Sequence, residues 1–167
     1  GEKSVAIIET GPASTLTTIV ESLRALGVQP QDVRDVLLTH IHLDHAGAAG
    51  WWARQGATIH VHPNGAPHIV DPSKLIASAT RLYKDKMDFL WGEILPVPQE
   101  KIHIVNDGDT VEAAGASIKA IDSPGHEFEV RHDEHRVVVA ADPRAARADP
   151  HDRSGRRRGG HAVADLD

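Results

Sequence analysis

The 167-residue chain contains no cysteine. That excludes a disulfide scaffold, a cysteine-based zinc finger, an iron–sulfur cluster and a thiol nucleophile. No apolar run approaches the roughly 18 residues of a membrane-spanning helix, so no membrane partner is expected. Basic residues are not in excess, and the formal net charge of −6 argues against a nucleic-acid partner. Residues 1–10 lack the basic start and long apolar core of a signal peptide, and the chain reads as cytoplasmic. An initiator Met is also missing. The chain opens directly into Val5-Ala6-Ile7-Ile8, so the N-terminus is expected to be a fragment edge. There is no internal repeat.

Against these absences stand twelve histidines. Any metal held here must be bound by imidazole and carboxylate. Hydrophobic residues at 40% and charged residues at 25% are ordinary globular usage, enough for one domain with a tail. The tail begins after Asp142. From Pro143 to Asp167 there are six Arg, five Ala, four Asp and three Gly, and Val163 and Leu166 are the only larger aliphatics. Such a segment buries too little apolar surface to offset its ordering entropy. Residues 1–142 are therefore read as the domain, and 143–167 as a disordered or non-native tail. Charge divides the same way: the body carries a net −8 and the tail +2.

Within the body, Val5–Glu9 reads as a buried strand and Thr10-Gly11-Pro12 as its turn. Leu16, Ile19, Val20, Leu23 and Leu26 then fall at helical spacing, with Gly27 as the stop. Asp35–Thr39 reads as a second buried strand, Ala46–Gln55 as a short helix and Ala57–His62 as a third strand. Pro72–Trp91 is expected to be the longest helix, striped by Leu75, Ile76, Ala79, Leu82, Tyr83, Met87 and Leu90. Short strands are expected at Lys101–Val105, Ser117–Ile121 and Arg136–Ala141. The mixture predicts an α/β or α+β fold, its sheets covered by helices.

The chemistry concentrates in Thr39-His40-Ile41-His42-Leu43-Asp44-His45, between a buried strand and a helix. In extended backbone His40 and His42 point to one side, because side chains repeat every two residues, and both can grip one ion. Asp44 and His45 lie where the chain turns into the helix, so their side chains can reach a second. Neutral imidazole and carboxylate suit zinc, and also iron or manganese.

With this HxHxDH run the sequence resembles the metallo-β-lactamase-fold hydrolases, in particular their glyoxalase II-like and lactonase-like branch. Three further segments agree. Ile8-Glu9-Thr10-Gly11 resembles the strand and turn ahead of the family's first helix, where Asp often replaces Glu9. Ser123-Pro124-Gly125-His126 resembles the TPGH segment. Ala140-Ala141-Asp142 ends a strand where the family usually has Gly-Asp. The resemblance spans about residues 5–142 and implies an αββα four-layer sandwich with two divalent metal ions at one edge. By that resemblance His40, His42 and His126 hold the first ion, Asp44 and His45 the second, and Asp142 bridges them. The family's last ligand is a His well downstream of the bridging Asp; here only His151 and His161 are candidates. The family's first strand pair is also missing, so the chain is expected to be incomplete at both ends.

A water shared by two divalent ions is acidified, and the ions polarise the oxygen under attack. Asp44 is then the catalytic residue that orients this water or passes a proton to the leaving group. The expected function is metal-dependent hydrolysis of a small ester, thioester or lactone, with no Ser or Cys nucleophile. Two alternatives remain open: a metal-binding fragment with impaired catalysis, and a mononuclear iron dioxygenase of the persulfide type. Oligomeric state is unreadable.

Other residues read as structural. His60 and His62 share a strand face and are taken as strand-end residues. His103, between Ile102 and Ile104, is expected to point to solvent. Trp51 and Trp52 are expected to pack, as are Tyr83, Met87 and Trp91 in an insertion over residues 64–98.

Overall fold

The computed structural model describes residues 4–122 and 137–141. Strand β1 (Val5–Ile8) runs parallel to β2 (Val33–Leu37), and the connecting helix α1 spans Leu16–Ala25. Its stripe of Leu16, Ile19, Val20 and Leu23 packs on the sheet. The helix stops where Gly27 takes a φ of 73°, a left-handed conformation that glycine adopts without steric cost. Two short helices, α2 (Leu43–Ala46) and α3 (Ala49–Arg54), lead from β2 to β3 (Thr58–Val61). The third crossover carries α4 (Ala66–Val70), α5 (Ser73–Tyr83) and α6 (Met87–Trp91) before β4 (Ile102–Ile104). The four strands form one parallel sheet in the order β1-β2-β3-β4.

An antiparallel sheet follows, built from β5 (Thr110–Ala113), β6 (Ala116–Asp122) and β7 (Val137–Ala141) in that order. Alternation assigns the faces. Ile59 and Val61 turn toward the helices with Val33, Val36, Leu38, Trp52 and Val97. Leu37 turns the other way, onto Val105, Val111, Ile118 and Ala120 of the second sheet. Helices, parallel sheet and antiparallel sheet are thus stacked as layers of an α/β sandwich. Among the described residues no helix covers the outer face of the second sheet.

Two expectations change. The helix expected over Ala46–Gln55 begins earlier and is split, with Ala48 ahead of α3. At this joint Gly50 lets the chain near Leu95 pass close by: a Cβ there would overlap the Leu95 carbonyl oxygen. The single helix expected over Pro72–Trp91 is broken at Lys84, whose φ is 51°. Edge-to-face contact of Tyr83 with Trp91 at 5.0 Å closes the break, and the Ser14 hydroxyl donates to the Leu90 carbonyl at 2.7 Å. Helix α4 and strand β5 carry too few apolar residues to show a period, and the sequence left both unread. Trp52 is fully buried and Trp51 packs beside it, as expected.

Candidate metal centre

The carboxyl ends of β1 and β2 meet at one edge of the parallel sheet. Leaving β1, Glu9 adopts a φ of 64°, and its N–H donates to the Leu37 carbonyl at 2.9 Å. This left-handed turn swings its carboxylate toward the segment that follows β2. One oxygen accepts the Thr39 N–H at 2.7 Å. The other lies 2.8 Å from His45 Nδ1. A carboxylate only accepts, so His45 Nδ1 carries a proton toward Glu9.

Thr10 fastens the same loop from beneath. It is buried, its N–H and its hydroxyl both donate to the His45 carbonyl at 2.7 and 2.8 Å, and its oxygen accepts the Ala48 N–H at 3.1 Å. The Glu9-Thr10-Gly11 turn therefore holds helix α2, and with it Asp44 and His45, against the end of β2.

The expected ligands of this loop come together. The His40 and His42 rings lie 4.8 Å apart, edge to face, and His40 and His45 lie 3.9 Å apart. His45 Nε2 is 3.3 Å from the Asp44 carboxylate. His40 is buried, and its Nδ1 meets the Thr39 hydroxyl at 2.9 Å. Glu9, His40 and His45 each offer a ligand atom, all within 4.8 Å of one another. Imidazole nitrogens and carboxylate oxygens at this spacing suit a divalent ion of the zinc type. His126 and Asp142, and the candidates His151 and His161, lie outside the described residues.

Glu9 is the site residue that sequence reasoning missed. It read as the end of a strand, yet it holds two groups 30 and 36 positions away. Its signal was a lone carboxylate at the end of an apolar run, just ahead of Thr-Gly. His60 also differs from expectation: it is buried, and it bonds both Asp35 and His103.

Comparison with known proteins agrees with this architecture. The family model described as "Metallo-beta-lactamase superfamily" matches residues 1–165. The lactamase-like protein adaB of Aspergillus niger is 30% identical over 119 residues, which are 71% of this chain and 27% of that protein. A metallo-beta-lactamase family protein from Thermus thermophilus superposes with a TM-score of 0.62 at 24% identity, over 83% of this chain and 48% of that one. A B3 metallo-beta-lactamase described as having an active-site glutamic acid gives a TM-score of 0.57 at 28% identity, over 75% and 44%. The chain thus spans about a quarter of its curated relative and under half of these solved structures.

Proposed function

This chain belongs to the metallo-beta-lactamase superfamily, and from that membership we propose that it is a metal-dependent hydrolase of a small ester, thioester or lactone. The observation that carries the reading is the convergence of His40 and His45, with Glu9 bonded to His45 and with His42 and Asp44 in contact beside them. Two divalent ions, zinc by the chemistry of the donors, supply an acidified water and a polarising charge when bound. On this reading His40, His42 and His126 hold the first ion, Asp44 and His45 the second, and Asp142 both.

The chain's own groups do the rest. Glu9 keeps a proton of His45 on Nδ1, which would leave Nε2 as the nitrogen for the ion. Asp44 is more than half exposed and can orient water at the mouth of the site. It can also accept a proton and return it to the departing alcohol or thiol. No second nucleophile is needed. The body net of −8 disfavours polyanionic substrates and supports a small-molecule partner.

The test combines elemental analysis with a hydrolysis screen over thioesters, lactones and simple esters. About two zinc per chain and turnover of one substrate class are expected. Asp44→Asn should lower kcat/KM about a hundredfold or more, in keeping with loss of a general acid–base group. A metal-free chain with no turnover overturns the reading, and iron with oxygen uptake would replace it with the dioxygenase.

A further inference from the structure

Away from the HxHxDH loop, three consecutive strands of the parallel sheet carry Asp35, His60 and His103. His60 and His103 are register partners on β3 and β4, and Asp35 lies one strand further on β2. His60 Nε2 is 2.8 Å from an Asp35 carboxylate oxygen, and His60 Nδ1 is 2.9 Å from His103 Nδ1. The rings meet edge to face with centroids 4.9 Å apart. None of the three belongs to the group formed by Glu9, His40 and His45.

The partners fix the protons. Asp35 accepts, so the neutral His60 ring carries hydrogen on Nε2 and a lone pair on Nδ1. His103 Nδ1 then donates to it. A ligand histidine whose second nitrogen donates to a carboxylate is the usual support of an imidazole–metal bond. From this geometry we propose that His60 Nδ1 and His103 Nδ1 form a second, separate site for a divalent transition-metal ion, backed by Asp35.

The dimensions suit the ion. Two nitrogens about 2.05 Å from an ion stand about 3.3 Å apart at a tetrahedral angle, so the pair opens by about 0.4 Å and the His103 ring turns to aim at the ion a nitrogen that the hydrogen bond aims at His60. His103 is exposed and free to move by that amount, while His60 is held by its burial and by Asp35. On binding, the proton leaves His103 Nδ1 and returns through solvent to its Nε2. Both rings stay neutral, and the two bonds to the ion replace the hydrogen bond between them. Burial lowers the His60 pKa against the opposing pull of Asp35, which favours the neutral, ligating form at neutral pH. Water can complete the coordination from the solvent side, where His103 is exposed.

Zinc titration of the chain with nitrogen-labelled histidine tests the proposal. The ring nitrogens of His60 and His103 should shift together and saturate at one ion, separately from the loop histidines. His103→Ala, at an exposed position, should abolish the His60 shift and weaken that ion at least tenfold. Asp35→Asn should weaken it by about tenfold, the lower end for loss of a supporting carboxylate. His68→Ala, exposed on α4, should change neither. Unmoved His60 nitrogens at saturating zinc, or a shift that survives His103→Ala, overturn the site. Because the loop histidines report separately, failure here is distinct from failure of the hydrolase reading.

Discussion

Glu9 combines an uncommon backbone conformation with an uncommon set of partners. A non-glycine residue at positive φ costs about 1–2 kcal/mol, and here the cost is offset by three hydrogen bonds to the end of β2 and to His45. Glu9→Gln keeps the shape and an acceptor for the Thr39 N–H. It places an amide N–H against His45 Nδ1, however, which forces the ring proton onto Nε2. Zinc affinity should therefore fall about 10- to 100-fold while the melting temperature barely moves, checked by competition with a chromophoric chelator and by thermal melts. Glu9→Gly should relieve the backbone and still lose the ion. At this scale the sequence was half legible. The HxHxDH run declares itself because its groups are neighbours along the chain, whereas Glu9 and the Asp35–His60–His103 row become partners only through strand pairing.

The elements that carry these residues are short, and their joints decide the geometry. Helix α3 passes the Leu95 backbone at Gly50 with no room for a methyl group. Gly50→Ala should destabilise the chain by about 1–3 kcal/mol, read from the urea midpoint, because the atom it meets is backbone and cannot rotate away. Thr10→Val should cost about 1–3 kcal/mol, since the Ala48 N–H loses its acceptor and the His45 carbonyl one donor. It should also loosen Asp44 and His45, lowering zinc affinity in the same titration. Strands and amphipathic helices were legible where burial imposes a period, as at β2, β3 and α1. The break at Lys84 was not, because the apolar stripe continues through it. The helix ends where Lys84 takes a positive φ, and Tyr83 then meets Trp91 across the turn.

Across the whole molecule, two apolar layers lie on either side of the parallel sheet. Trp52 sits fully buried at the centre of the helix-facing layer. Trp52→Ala should cost about 3–5 kcal/mol, a large share of a domain's stability, and equilibrium unfolding in urea measures it. Phe89, 83% exposed on α6, should tolerate Ser within about 0.5 kcal/mol. The mixed class and its sheets were readable from the order of elements. The stacking of the second sheet on Leu37 was not, since β5 shows only Val111 and Ala113 as inward residues.

The parallel sheet has one more consequence, for chain length rather than for chemistry. Its strands all deliver the chain to the same edge, yet the metal loop belongs to the β1 and β2 ends, while the long crossover from His62 to Lys101 belongs to the third. Lengthening such a connection is thermodynamically cheap, about 0.6 kcal/mol for each doubling. The crossover is therefore the part of this frame freest to change in length, while the ends of β1 and β2 keep the histidine-rich loop in place.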